Sequence, residues 1–365
     1  MNRIVLSVCI LAGLAACDAS TRPDETSILP HGPALGLVDG QFTVRNLGTL
    51  GGAFSGANAI NELGEVAGFS ALPSGHVRAI IWRRGQGMRS LGTLGGDSRA
   101  RGINDRSEVV GHSKTRPESD VTRAFLWTAA GGMRGIGTLG GRNSFANSIN
   151  NRREVVGASD TRSGSLRGFL WRPGQGMQSL GSLGGENSQA FDINDATQVV
   201  GVSQTADGDD HAFLWTPGRG MEDLGTLGGR TSQAGGISQT GAVVGSSETA
   251  DGTVEVFLWT RGKGMRSLGK PEGGENLFAT GINTHRRVVG ITFSGGEIED
   301  LPFLWTSGSG IQLLPTLGGP LGQAQDLNEF GQIVGTTRTS LNDIRATLWT
   351  PIDGPLAVAP GRRSR

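Results

Sequence analysis

Seven tryptophans (Trp82, Trp127, Trp171, Trp215, Trp259, Trp305 and Trp349) fall 44 to 46 residues apart. The same text recurs around each one, so the chain is seven copies of a unit of about 44 residues. A period of this size points to a propeller, a solenoid or an array. One unit occupies residues 180–223, and the others begin at Leu47, Leu91, Ile136, Leu224, Leu268 and Leu314. Each holds four short apolar segments, which in that unit are residues 190–194, 198–203, 212–216 and 221–225. They are rich in Val, Ile, Leu, Phe or Trp and are bounded by Gly, Asn, Asp or Pro, which is a strand signature. None is long enough for a helix, and no 3.6-residue period is visible.

Four short strands per unit describe one propeller blade, so the expected fold is an all-β, seven-bladed β-propeller. The chain ends support closure. The last unit stops after Trp349-Thr350-Pro351 without a fourth segment, while residues 42–48 form an orphan segment of that type at the other end. An N-terminal strand is therefore expected to complete the last blade, leaving no free sheet edge. An open solenoid or a β-prism-like array has no need of such complementarity.

His211-Ala212-Phe213-Leu214-Trp215, followed by LGTLGG from Leu224, resembles the signature of the bacterial HAF-type extracellular repeat family. Elsewhere the first position drifts, as in Arg123-Ala124-Phe125 and Pro302-Phe303. The resemblance spans nearly all of residues 42–352 and implies an exported repeat protein. It brings no catalytic residues to carry over.

The first residues read as an export signal, with Arg3 followed by an apolar run over residues 4–16. That run is short of the roughly 20 residues needed to span a bilayer. It closes with Leu14-Ala15-Ala16-Cys17, which resembles the bacterial lipobox. The expectation is a signal peptide at 1–16, lipid on Cys17, a tether at 17–40 containing Pro23, Pro30 and Pro33, a propeller at 41–353 and a disordered tail at 354–365. Lipid at Cys17 would make the membrane the first partner and the cell envelope the location. Asp18, directly after Cys17, resembles the inner-membrane retention signal of enterobacterial lipoproteins. Cys9 and Cys17 are the only cysteines, so the mature chain would carry no disulfide.

Composition narrows function by exclusion. The 33 basic and 33 acidic residues balance and form no basic run, so nucleic-acid binding has no electrostatic footprint. His31, His76, His112, His211 and His285 have no metal-ligand spacing, and no nucleophile elbow is present, so no cofactor or metal is expected. The seven tryptophans are expected to pack between blades, each indole N–H meeting a carbonyl, rather than to stack on sugars. Asn61, Asn104, Asn150, Asn194, Asn283 and Asn328, with Ser238 in the fifth unit, read as Asx turns. The alternative, a ring of ligand contacts, lacks an acidic ring beside it. The seven Gly-Gly pairs, from Gly51-Gly52 to Gly318-Gly319, read as tight turns between blades.

Residues uniform across the repeat serve the scaffold, and departures from it are where function can be written. The loops following the second segment, at 71–78, 114–122, 160–166, 204–210, 248–255, 292–302 and 337–345, vary most. The strongest departures are Lys114, Arg116, Glu118 and Asp120; Lys270 with Glu272; and Glu297, Glu299 and Asp300. These are the candidate contacts of a monomeric, non-catalytic module that binds a protein or a glycan. A polysaccharide-cleaving propeller would need carboxylates converging at the axial mouth. A surface coat without a specific ligand would keep all its associations when the loop face is substituted.

Overall fold

The computed structural model describes residues 40–270, 276–293 and 300–352. Those residues form seven four-stranded antiparallel sheets arranged as the blades of a β-propeller. Blade 1 comprises Ser55–Ile60, Val66–Ala71, Val77–Arg83 and Gly87–Ser90, and blade 4 comprises Gly184–Ile193, Val199–Thr205, Asp210–Thr216 and Gly220–Asp223. The first strands of the other blades are Ser98–Ile103, Gly140–Ile149, Gly228–Ile237, Asn276–Ile282 and Gly318–Leu327. First strands touch one another all the way round and so line the axis. Fourth strands lie at the exposed outer rim.

The sequence places the strands well but truncates the first one. In blade 4 it runs ten residues from Gly184, not five from Ala190, because the Gly-Gly pair is itself paired to the second strand through Gly184 and Thr205. The Gly-Gly pairs of blades 3, 4, 5 and 7 are thus strand starts as well as turns.

Each blade is covered on both faces by its neighbours, so its central strands need no polar alternation. Val199, Val200, Phe213 and Leu214 are all fully buried. The same position holds Phe125, Phe169, Phe257 and Phe303, each fully buried and worth about 1.5–3 kcal/mol. The glycine after the paired valines is a packing requirement: a Cβ on Gly201 would lie 2.0 Å from the Gln189 carbonyl oxygen. Trp127 and Trp259 join clusters shared with the preceding blade, as expected. Their expected carbonyl partners are another matter. Among the described residues only Trp349 donates its indole N–H, to Pro315 at 2.6 Å. Trp349 is the one tryptophan with no exposed surface. An indole edge that reaches solvent needs no protein acceptor.

Closure is as expected. Phe42–Asn46 pairs antiparallel with Ile344–Pro351, matching Val44 to Trp349, and becomes the fourth strand of blade 7. Leu47 N–H to Ala346 (2.9 Å) and Ile352 N–H to Gln41 (3.0 Å) extend the clasp at either end. Phe42 and Leu47 are each 6% exposed and join different interblade clusters.

Candidate functional site

The meander sends second turns and blade connections to one face, and first and third turns to the other. Contacts agree with this, since a Cβ on Gly51 would meet Pro73, on Gly95 Thr115, and on Gly318 Ser340. The sequence-variable second turns are, however, mostly one structure. In blades 1, 3, 4, 5 and 7 the pairs Leu72/His76, Thr161/Ser165, Thr205/Asp209, Thr249/Thr253 and Thr339/Asp343 close the same hydrogen-bonded turn. Its fourth residue is left-handed in every case: Gly75, Gly164, Gly208, Gly252 and Asn342. Sequence drift there does not move the backbone.

Blade 2 departs from that turn. Lys114 ends its second strand, half-buried, and pairs with Thr122. Between them the loop is held by Thr115 N–H to Val121 (3.0 Å), Ser119 N–H to Arg116 (3.2 Å) and Val121 N–H to the Ser119 hydroxyl (2.9 Å). Gly95 underlies it at φ 143°, where a Cβ would lie 2.1 Å from the Thr115 oxygen. The outcome is a braced projection with Arg116, Glu118 and Asp120 exposed.

The blade 6 candidates behave differently. Asp300 is engaged with blade 7, accepting from Gln323 Nε2 at 3.0 Å while its carbonyl accepts from Gly322 at 2.7 Å. Lys270 is exposed near Asp251, whose carboxyl hydrogen bonds from Thr249 and Thr253, with help from the lysine charge, bring to about 2. Glu272, Glu297 and Glu299 lie outside the described residues, as does Cys17. The blade 2 group and the blade 6 group sit on separate blades of the ring.

The axis carries an arrangement that the sequence reading missed. Each first strand has a bulge just after the alanine that pairs with the second-strand glycine, between Ala57 and Ala59 in blade 1 and at the matching place in the other six. Bulges re-aim side chains. The bulged residues Asn58, Asn147 and Thr280 reach the next blade, donating to Ala100 (2.7 Å), Ala190 (2.8 Å) and Ala324 (3.0 Å). The Asn turns form a belt. Each Asn donates Nδ2 to the carbonyl of the equivalent residue in the next blade: Asn61 to Asn104, Asn104 to Asn150, Asn150 to Asn194, Asn194 to Ser238, Asn283 to Asn328 and Asn328 to Asn61. Only the link from blade 5 to blade 6 is missing, because Ser238 has no amide.

The following residue makes a second belt and corrects the expectation that no acidic ring lies beside the asparagines. Backbone N–H groups of Glu62, Asp105, Asn151, Asp195, Thr284 and Glu329 are accepted by side chains of Asp105, Asn151, Asp195, Gln239, Glu329 and Glu62. Four of these positions are carboxylates. Burial raises the Glu62 carboxyl, with Glu329 and Asp105 adding repulsion against the Glu329 N–H that lowers it. Among the described residues no group of three His, Cys, Asp or Glu is placed to hold a metal ion. Deeper in, burial raises Asp192 and pushes Asp326 up to about 7, although both accept backbone N–H groups, from Ile237 and Ile193 and from Ile60 and Leu327. The charge of Asp192 adds to the rise at Asp326. Blade 2 is the basic side: burial beside Arg101 and Arg99 brings His112 to about 3, and burial brings Arg101 to about 10.

No family model matches the chain, and no curated relative matches it. Solved structures do. The β-propeller domain of the Trilobed protease from Pyrococcus furiosus is similar at TM-score 0.55 and 10% identity, over 81% of this chain and 95% of that one. The BP39L lectin from Burkholderia pseudomallei is similar at TM-score 0.51 and 11% identity, over 84% and 99%. The acylaminoacyl peptidase from Pyrococcus horikoshii gives 0.52 and 11%, over 81% of this chain but 51% of that longer one. At such identities the likeness is one of fold, and a fold that serves both lectins and peptidases leaves function to the site.

Proposed function

We propose that the chain is an exported, lipid-anchored propeller that binds a protein or glycan partner, without catalysis, through the loop face at blade 2. The observation that carries this reading is the contrast between one repeated turn in five blades and the braced projection of residues 115–121 in blade 2. What sets blade 2 apart is that its longer loop is held in a different arrangement, with Ser119 N–H on Arg116 and Val121 N–H on the Ser119 hydroxyl, and so presents Arg116, Glu118 and Asp120 in a fixed place. Leu14-Ala15-Ala16-Cys17 supports the anchor, and Pro23, Pro30 and Pro33 after it support a tether.

The test is capture from envelope extracts by the chain beginning at Ser20. A matched variant has residues 115–121 replaced by the Thr-Ala-Asp-Gly-Asp turn of blade 4. A protein or polysaccharide held by the first and lost by the second supports the reading. Equal capture by both refutes the blade 2 site, and capture by neither favours a surface coat. Release of labelled glycan fragments by both would instead favour the polysaccharide enzyme. Labelling of the full chain with a palmitate analogue, lost in Cys17→Ser, tests the anchor.

A further inference from the structure

The first turns carry an internal pairing rule. Two residues matter: the left-handed residue of each turn, and the residue that follows the corresponding position in the preceding blade. Ser107 (φ 57°), Arg153 (62°) and Thr197 (59°) adopt a backbone conformation that costs a side-chain-bearing residue energy. Each faces a glutamate of the preceding blade and donates to it: Ser107 to Glu65 (2.6 Å), Arg153 to Glu108 (2.7 Å) and Thr197 to Glu154 (2.7 Å). Where that left-handed residue is glycine, no carboxylate stands opposite. Gly241 faces Gln198, Gly64 faces Gln332 and Gly331 follows Arg287. Donors take glutamates, and glycines do not.

One seam breaks the rule. Arg286 of blade 6 is left-handed at φ 58°, yet the blade 5 position opposite is Ala242. The asparagine that braces each glutamate in blades 1 to 3 (Asn61 to Glu65 at 2.8 Å, for example) is also gone, replaced by Ser238. The Arg286 side chain makes no hydrogen bond or ion pair among the described residues, and it is exposed; only its backbone N–H is engaged, closing the turn on Asn283. In place of the glutamate there is an open pocket of about 290 Å³, lined by Thr240, Ala242, Trp259, Thr260, Arg261 and Arg286, with Gln198 of blade 4 at its other side. Arg261 lies 5.7 Å from the centre of the Trp259 ring and pairs with Glu222 at its outer side, so a second cation flanks the space.

We infer that the cavity between blades 5 and 6 binds a carboxylate from a ligand, which takes the position that Glu65, Glu108 and Glu154 fill in blades 1 to 3. The guanidinium of Arg286 would be the principal donor, with the Thr240 and Thr260 hydroxyls beside it. This site lies on the face opposite the blade 2 projection and does not depend on that reading. The carboxylate can come from an acidic peptide or from a uronic acid.

The experiment uses the chain from Ser20 and follows the indole 15N–1H signal of Trp259, identified by W259F. Probes are an acetylated, amidated Glu-containing tripeptide, methyl glucuronoside, and methyl glucoside as the uncharged control. Two variants fold by precedent within the chain: Arg286→Gly copies Gly64, Gly241 and Gly331, and Ala242→Glu copies Glu65. Expected is saturable movement of the signal with at least one carboxylate probe and none with the glucoside. Arg286→Gly should weaken binding about tenfold or more, since a charge-assisted hydrogen bond is lost. Ala242→Glu should abolish binding and raise the melting temperature without any ligand. The tripeptide and the glucuronoside arms distinguish the source. No movement with either carboxylate, or equal binding by the two variants and the parent, overturns the inference.

Discussion

The asparagine belt makes a quantitative prediction at Asn150. Its Oδ1 accepts from Arg152 and Glu154 at 3.0 and 2.9 Å, and its Nδ2 donates to Asn194 at 3.0 Å and to Glu154 Oε2 at 2.8 Å. The residue is 3% exposed, so water does not replace a lost partner easily. Asn150→Ser copies Ser238, which still caps its own turn by accepting from Ala242 at 3.1 Å. That change removes the two Nδ2 bonds, one to a neutral carbonyl and one to a carboxylate, for a cost of about 2–4 kcal/mol. Asn150→Asp keeps the shape but sets a carboxylate against the Asn194 carbonyl and the Glu154 carboxylate. It should cost more than the serine, and part of the excess should return as pH falls and the new acid takes a proton. Ser238→Asn runs the substitution backwards: it supplies the missing donor toward Asn283 and should stabilise by about 1 kcal/mol. Urea unfolding of the four proteins at pH 5 and pH 8 gives the free energies. A serine variant within about 0.5 kcal/mol of the parent, or an aspartate no worse than the serine, would refute the belt as a source of stability.

Three further outcomes follow from the geometry. Phe42→Ala empties a 6%-exposed aromatic site in the clasp and should cost about 3–5 kcal/mol; calorimetry reads it, and an unchanged melting temperature would mean that blade 7 closes without its N-terminal strand. Gly201→Ala puts a methyl 2.0 Å from the Gln189 oxygen, so the first and second strands of blade 4 must part; soluble yield and hydrogen exchange at Val199 and Val200 should both deteriorate. Asp326 holds its proton up to about 7 when folded but only to 3.8 when unfolded, so between those values the folded state binds the extra proton and stability falls as pH rises. Asp192→Asn removes the repulsion that helps raise Asp326 and should flatten that fall, whatever it costs at a fixed pH; a slope as steep as the parent's between pH 5 and 8 would contradict the coupling.

What could be read from the chain alone was whatever the repeat states seven times. The Trp spacing and the paired valines fixed blade number and strand order, because burial on both faces leaves no freedom in those positions; the orphan segment at residues 42–48 fixed the clasp, because the last unit lacks a fourth segment of that type. The asparagines were legible only by half. An Asx turn explains Oδ1, which bonds within its own unit, and says nothing of Nδ2, which bonds to a residue 43 to 46 positions on. Register between blades cannot be read from one unit. The acidic belt was in plain view as Glu62, Asp105, Asp195 and Glu329, each directly after its asparagine, but mixed residue types at one position look like drift until the fold sets them side by side. The variable loops misled in the opposite direction. A left-handed fourth residue, whether glycine or Asn342, is enough to hold one turn, so sequence variety there overstated structural variety.

The exceptions in the belts and in the glutamate pairing converge on one seam. Both belts lack their link from blade 5 to blade 6, the first because Ser238 carries no amide and the second because the short Thr284 side chain is not an acceptor for Gln239. The glutamate rule fails at Ala242 and Arg286 in the same place. Random loss would scatter such defects among seven interfaces. Here the backbones compensate: a Cβ on Gly235 would stand 2.1 Å from the Ala279 oxygen, so two glycines let blade 6 come against blade 5 without the side-chain bridges used elsewhere. An interface held by backbone contact rather than by asparagine and carboxylate bridges leaves the Arg286 side chain without a carboxylate of the protein's own among the described residues. The seam is therefore the place on the ring where an external carboxylate meets the least competition, and Ser238→Asn, by adding the belt link while leaving Ala242 and Arg286 in place, separates the stability of that seam from its capacity to bind.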